Sequence, residues 1–198
     1  MNSGPAAAAL DMHAIFCYYC NQGVVSMPPP RIYYFALFYA IYWSLHRIWD
    51  TPNYAFVCFL DLFNNEILEW NVHTDESMDL IIPPLRRLLK TKQMSTELPM
   101  LLHSDQGSQY SSAGFCALLK RYNVTQSMSR AGTPRDNAVM ESVFGWFKDF
   151  LRADFFPYSS EPIEVVLAKA VHEFNFHRPS HKLHYKSPVQ FKTEQGFP

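Results

Sequence analysis

The 198-residue chain lacks the charge excess and the polar composition that define several classes of protein. Its formal net charge is −1, so it has no surplus of lysine and arginine such as a strongly basic nucleic-acid-binding tail would need. Hydrophobic residues make up 48% of the sequence, which excludes an intrinsically disordered chain. We therefore expect one folded domain in which any contact with nucleic acid is local.

Cysteine and long apolar runs are also scarce. The four cysteines are too few and too scattered for a disulfide scaffold, which favours a reducing compartment and a cytoplasmic protein. Cys17 and Cys20 with His13 supply at most half of a structural zinc site, because no second pair of ligands is suitably spaced. The most apolar stretch, residues 32–45, is shorter than the roughly 20 residues that span a bilayer. We predict no membrane segment and no targeting segment.

The first quarter of the chain is short of carboxylates. No Asp or Glu stands between Asp11 and Asp50, and aromatic residues crowd into this stretch without a helical or strand period. A triple proline at residues 28–30 interrupts it further. We therefore divide the chain into an irregular or frame-shifted segment over 1–49, a core over 50–192 and a tail over 193–198.

From residue 54 onward, strand patterns alternate with helix patterns. The apolar run at 54–60, the pair Asn64-Asn65 and the segment at 66–70 predict a hairpin whose first strand is buried on both faces. Two more strands are predicted at 99–103 and 123–126. Apolar residues recurring every three or four positions predict helices that begin near Thr74, Ser112, Asp136 and Pro162. This alternation predicts an α/β fold.

The first of these helices contains two adjacent prolines. A proline inside a helix removes a backbone hydrogen bond and clashes with the preceding turn, at a cost of roughly 3 kcal/mol. We therefore expect this helix to break or restart at Pro83-Pro84.

Two carboxylates are placed where they could hold a metal ion. Asp105 ends a predicted buried strand, which is where open α/β sheets place their sites. Glu141 lies on the predicted helix after residue 136, and Lys148, seven positions further on, projects from nearly the same face. A strand-end Asp and a helix Glu offer the oxygen ligands that Mg²⁺ prefers. On residue type and spacing alone, however, a turn or cap role for the Asp and a solvent-facing role for the Glu remain open.

Longer motifs around these residues resemble a known family. The segments HSDQGSQY at 103–110 and QSMSRAGTPRDNAVMES at 126–142 resemble the catalytic core of insertion-sequence transposases of the Asp-Asp-Glu type, relatives of retroviral integrases. The segment at 61–67 resembles the family's turn between the second and third strands, and 174–191 resembles its closing segment. The resemblance covers about residues 54–192. It implies a ribonuclease H-like fold, in which a mixed five-stranded sheet is flanked by helices.

The resemblance also implies a chemistry and its residues. The family cleaves DNA and transfers strands with two Mg²⁺ (or Mn²⁺) ions held by two Asp and one Glu, and Asp105 matches the second Asp and Glu141 the Glu. Arg130, Asn137 and Lys148 match positions that orient the active-site loop or contact DNA. For Arg130 and Asn137 a structural role is equally compatible. Four histidines of the closing segment are expected at the surface or close to DNA: His172, His177, His181 and His184.

The expected first Asp of the family is missing. In the family this Asp lies on the first strand, about twenty residues before the position that Asp61 matches. In this chain that place falls near residues 41–45, where no carboxylate stands. The family's motif of an Asp, a hydrophobic residue and a Thr is absent. Asp50, between Trp49 and Thr51, is the one remaining candidate, but it is too close to Asp61 to leave room for a strand, a turn and a second strand. Asp61 itself matches the turn. With one ligand fewer, metal affinity and positioning should both weaken.

Three interpretations follow. The first is a DNA transposition or integration core by descent, impaired as in a decayed or frame-shifted remnant of a mobile element. The second is a catalytically inactive DNA- or partner-binding remnant, and the third is a product that never folds stably. The resemblance further implies DNA ends and target DNA as partners, a separate helix-turn-helix subunit or domain, and a homo-oligomer on DNA.

Overall fold

One mixed sheet forms the centre of the computed structural model, which describes residues 33–37, 41–43, 54–95, 100–129, 138–155 and 161–197. Within these ranges the strands are β1 (Tyr33–Leu37), β2 (Ile41–Trp43), β3 (Tyr54–Asp61), β4 (Ile67–His73), β5 (Met100–Ser104) and β6 (Val124–Met128). The helices are α1 (Met78–Ser95), α2 (Ala113–Arg121), α3 (Ala138–Phe150), α4 (Ile163–Phe176) and α5 (Pro188–Glu194). None of the described helices is both long and apolar enough to cross a membrane.

The aromatic N-terminal stretch supplies the central strand of this sheet. On one side β3 pairs with β4, forming the predicted hairpin. On its other side β3 pairs with β1 along its C-terminal half, where Ala36 opposes Leu60, and with β2 along its N-terminal half, where Ile41 opposes Phe56. β1 also runs parallel to β5, which runs parallel to β6. The expected ribonuclease H-like sheet is therefore confirmed, with its first strand divided into two pieces.

Helices cover both faces of the sheet. On one face α3 and α4 pack against Phe56, Cys58 and Leu60 of β3. On the other face α1 and α2 pack against Ala55, Val57 and Phe59 of the same strand, together with alternate residues of β5. Because side chains alternate along a strand, a strand buried on both faces must be apolar throughout. The predicted two-sided burial of β3 is confirmed.

The prediction that α1 breaks at its two prolines is wrong, because α1 runs unbroken from Met78 to Ser95. A proline at position i leaves the carbonyl of residue i−4 without its helical donor, so Pro83 and Pro84 free the carbonyls of Asp79 and Leu80. The side-chain amide of Asn71 in β4 donates to both carbonyls, at 3.3 Å and 3.0 Å. A tertiary contact thus replaces the two local hydrogen bonds.

The C-terminal segment is tied to the β3–β4 hairpin by buried amides. Asn175 of α4 accepts a hydrogen bond from the Ile67 nitrogen and donates one to the Ile67 carbonyl, both at 2.9 Å. Asn64, in the hairpin turn, donates to the carbonyl of Pro188 at 3.0 Å. These bonds fix α4 and α5 against the edge of the sheet.

Candidate active site

Asp105 follows the last residue of β5, as predicted, and its side chain is half-buried. Its Oδ1 accepts a hydrogen bond from the backbone nitrogen of Gly107 at 2.9 Å. Burial raises the pKa of the Asp105 carboxyl, and the Gly107 hydrogen bond only partly opposes that rise. In the part of the chain that the structure describes, no cation pairs with Asp105. A bound cation at this position would therefore offset the cost of burying its charge.

The alternation of β5 directs Asp105 toward the face that α3 covers. Met100 and Leu102 pack in the layer of α1 and α2, so His103, and Asp105 beyond it, project from the opposite face. Glu141 lies on α3, in the layer on that face. If the alternation continues one residue past β5, Asp105 lies on the side of the sheet that α3 and Glu141 cover.

A buried histidine fixes the strand that carries Asp105. His103 is fully buried, and its ring nitrogens lie 3.0 Å from Ser127 Oγ and 3.1 Å from Ser129 Oγ. Ser127 lies in β6 and Ser129 directly follows it. The ring therefore bridges the parallel strands β5 and β6 just before the candidate site. The sequence analysis gave His103 no separate role. The signal was its polar side chain within an otherwise buried apolar strand.

Glu141 lies in the first turn of α3 and is exposed. It makes no hydrogen bond or ion pair with the other described residues. Lys148 lies two turns further along the helix. Its pKa is lowered mainly by burial and secondly by the positive charge of the nearby Arg152, while the negative charge of Asp149 opposes this effect. The buried face of α3 consists of other residues: Met140, Val143, Phe144, Phe147 and Phe150.

Three predicted site residues fall outside the described residues: Arg130, Asn137 and Asp50. The roles suggested for them stay predictions. Asp61 is described, and it is the last residue of β3, where its Oδ1 accepts a hydrogen bond from the nitrogen of Phe63 in the hairpin turn at 2.9 Å. The four histidines of the closing segment are exposed, as expected.

The strand beside Asp105 offers no third carboxylate. The residues of β1 and β2 are Tyr, Tyr, Phe, Ala and Leu, then Ile, Tyr and Trp. Ala36 pairs in register with His103, two positions before Asp105. Across the described ranges, no group of three or more His, Cys, Asp or Glu side chains is placed to hold a metal ion. Asp105 and Glu141 suit Mg²⁺ or Mn²⁺ in donor type, but they are one ligand short of the set that the resemblance implies.

Gly107 is a site residue that the sequence analysis did not single out. Besides donating to Asp105, it lies against the side chain of Gln109, whose Cδ would be 2.9 Å from a Cβ at position 107. A larger residue would require the end of the Gln109 side chain to move. The signal was a glycine two positions after a strand-end Asp.

Comparison with known proteins identifies the family of the chain. Two models of the integrase core domain match the chain, over residues 42–134 and 122–188, and together they span well over half of it. The chain belongs to this integrase core family. It is 34% identical over 140 residues to the putative transposase InsK of insertion sequence element IS150 from Escherichia coli K12, covering 70% of this chain and 48% of that protein. The chain spans about half the length of most of the curated relatives it matches.

Solved structures share the fold. The catalytic core domain of BIV integrase superposes with a TM-score of 0.61 at 17% identity, covering 82% of this chain and 95% of that domain. The catalytic core domain of HTLV-2 integrase, solved in complex with magnesium, gives a TM-score of 0.60 at 15% identity, covering 83% and 97%. At this level of identity the likeness establishes the architecture alone.

Proposed function

We propose that the chain is the core of a DNA transposition or integration enzyme, in which Asp105 and Glu141 bind a divalent metal ion beside a DNA phosphate. The observation that carries the proposal is Asp105, a half-buried carboxylate at a sheet edge with a raised pKa and no described cation partner. Glu141 of α3, which forms no ion pair with the other described residues, supplies the second oxygen donor. Similarity to transposases supports the reaction class.

Each residue has a defined task in this proposal. A bound Mg²⁺ or Mn²⁺ ion polarises a phosphate and lowers the pKa of an attacking water or hydroxyl. Asp105, oriented by the Gly107 nitrogen, presents its second carboxylate oxygen to the ion. Glu141 does the same from α3, and Lys148 neutralises a neighbouring phosphate of the DNA backbone. Arg130 and Asn137 orient the loop before α3, and Asp50 is the weakest candidate for a third ligand.

The proposed enzyme is impaired relative to one with three carboxylates. Two carboxylates oppose less of the charge of two divalent ions, and they fix the ions less rigidly. A DNA-binding remnant without catalysis is the second candidate function, and the absence of Asp and Glu from β1 and β2 favours it. In either case the partners are DNA and further copies of the chain, with a helix-turn-helix unit supplying recognition in the cytoplasm.

Calorimetric titration with Mn²⁺ tests the metal site. Wild type should bind the ion, and Asp105→Asn and Glu141→Gln should each weaken binding by about tenfold to 100-fold. Asp149→Asn is the matched control, because Asp149 is an exposed carboxylate on the same helix that pairs with Arg152. Equal affinity in wild type and Asp105→Asn would leave only the DNA-binding remnant.

Metal-dependent nicking of DNA distinguishes the two candidate functions. A plasmid that carries the terminal repeats of the element is the substrate, and Mn²⁺ is the ion. Slow nicking by wild type that disappears in Asp105→Asn supports an impaired enzyme. DNA binding without any nicking, at every metal concentration, supports the inactive remnant.

A further inference from the structure

A short loop between α4 and α5 holds an aromatic ring in solvent. Residues 178–186, here called the Tyr185 loop, are closed by a bridge in which the Ser180 nitrogen donates to the Lys186 carbonyl at 3.0 Å. The Tyr185 nitrogen donates back to the Ser180 carbonyl at 2.9 Å, and buried Leu183 anchors the loop to the core. The loop is therefore a compact unit rather than a free connection.

The backbone of this loop is strained at the position of the ring. His184 and Tyr185 both have left-handed backbones, with φ of 55° and 62°. Bulky residues rarely adopt this conformation, and such strain persists where the surrounding structure enforces it, often at binding sites. Tyr185 is 73% exposed, and its ring lies perpendicular to that of His181 with 5.3 Å between the two ring centroids. The folded loop thus keeps the Tyr185 ring largely exposed to solvent.

The charge around the loop suits a polyanion. No Asp or Glu occurs from residue 174 to 193. Within the described chain, Arg178, Lys186 and Lys192 pair with the carboxylates of other segments, while Lys182 is exposed and makes no ion pair. The loop therefore presents an aromatic ring and, in Lys182, a cation without an ion pair among the described residues, while the carboxylates that contact the loop, Asp154 and Glu194, are each paired with one of its basic residues.

The loop lies next to the helix that carries Glu141. A cleft of about 290 Å³ is lined on one side by Pro179, Ser180 and His181, and on the other by Ser142 and Trp146 of α3. Ser142 directly follows Glu141. A DNA strand that passes Glu141 on α3 thus reaches the loop without leaving the surface of the domain.

We propose that the Tyr185 loop is a binding site for unpaired DNA, in which Tyr185 stacks on an exposed base and Lys182 contacts the adjacent phosphate. Stacking on an aromatic ring tolerates any base, because every base has a flat π-face. The loop would hold a frayed or overhanging strand near the metal site. This inference rests on the proposed function, since it takes the same DNA as the ligand.

Fluorescence anisotropy with two labelled oligonucleotides tests the inference. One probe is a duplex with a single-stranded overhang that contains 2-aminopurine, and the other is the same duplex with blunt ends. Tyr185→Ala should weaken binding of the overhang probe by about tenfold and abolish the 2-aminopurine quenching that wild type produces, with little effect on the blunt probe. Tyr185→Phe should behave like wild type. Lys182→Ala should weaken both probes and lower the salt slope by about one.

Tyr185→Gly separates recognition from folding. Glycine accepts a left-handed backbone without strain, so this variant should melt a few degrees higher than wild type while losing affinity for the overhang. Val165→Ala, which shortens an exposed apolar residue in the regular helix α4, is the control and should change neither quantity. Unchanged overhang binding by Tyr185→Ala, with wild type binding both probes, would overturn the loop proposal alone. Failure of wild type to bind either probe would overturn the proposed function as well.

Discussion

Two neighbouring strands of the sheet, β5 and the divided strand β1–β2, differ in the polar and acidic residues that they carry. β5 is followed by Asp105 and contains a buried histidine, whose ring nitrogens contact Ser127 of β6 and Ser129 just after that strand. β1 pairs with both β3 and β5, β2 pairs with β3, and neither contains an acidic residue. A central strand requires apolar residues of the right length, whereas catalysis requires one particular carboxylate. The architecture is therefore kept on a strand that offers no carboxylate to the proposed metal site.

Restoring a carboxylate to the divided strand is the most direct test of this difference. Ala36→Asp and Ile41→Asp place an acid on either side of residues 38–40, at register positions paired with residues of the α3-facing side. We expect at least one of them to raise Mn²⁺-dependent nicking about 100-fold, because a third oxygen ligand fixes the ion in place.

The alternation of the strand provides the control. Leu37→Asp is one position further along β1, so it directs its carboxylate toward the opposite face, where Phe59 packs in the α1 layer. It should produce no gain. If neither Ala36→Asp nor Ile41→Asp raises nicking or Mn²⁺ affinity, the missing carboxylate is not what limits the nicking activity of the protein.

Asn71 tests whether the fold is independent of the site. Asn71→Ala leaves the carbonyls of Asp79 and Leu80 without a donor beside Pro83 and Pro84. We expect a loss of about 2–3 kcal/mol in the free energy of unfolding, measured by urea denaturation. Calorimetric Mn²⁺ affinity at low temperature should be unchanged. Thr91→Ala, which removes one exposed hydroxyl bond from the same helix, should cost far less.

Asp105→Asn should stabilise the metal-free protein at neutral pH. The folded state raises the pKa of the Asp105 carboxyl, so it holds the proton more tightly than the unfolded state does, and ionisation opposes folding. The neutral amide removes this penalty and still accepts the Gly107 hydrogen bond. At pH values above the pKa of Asp105 in the folded state, we expect Asp105→Asn to melt a few degrees higher than wild type. The difference should vanish as the pH falls below the ordinary value of 3.8, where both states are protonated.

Adding Mn²⁺ should raise the melting temperature of wild type above that of Asp105→Asn. An ion that binds only the folded state stabilises wild type by mass action, whereas Asp105→Asn lacks the ligand and should not respond. A melting temperature of wild type that is insensitive to both pH and Mn²⁺ would contradict the assignment of Asp105 as a metal ligand.

Lys148 should give the smallest effect. Lys148→Met removes one proposed phosphate contact on α3, so DNA affinity should fall a few-fold and the slope of log affinity against log salt should decrease by about one. Lys120→Met, an exposed cation on α2 in the opposite layer, is the matched control. Equal losses from both variants would indicate non-specific attraction rather than a DNA path along α3.

Local patterns predicted most of the fold. The hairpin of β3 and β4, the Ser112 cap of α2 and the apolar face of α3 all depend on interactions between residues close in sequence. The unbroken helix α1 was not predictable in this way, because the donor that satisfies its two free carbonyls comes from the neighbouring strand β4. For the site, the motif predicted the position of Asp105 at a strand end, but not its half-burial or its raised pKa.

The sequence by itself determined that the chain is an α/β domain with carboxylates at 105 and 141, and that no acidic residue stands between Asp11 and Asp50. These follow from residue identity and short-range periodicity. Only the tertiary structure decided that the aromatic segment becomes the central strand, since its pairing depends on β3 and β5, which lie far along the chain. Hydrophobic burial selects such a strand for its apolar surface and is indifferent to the carboxylate that catalysis needs.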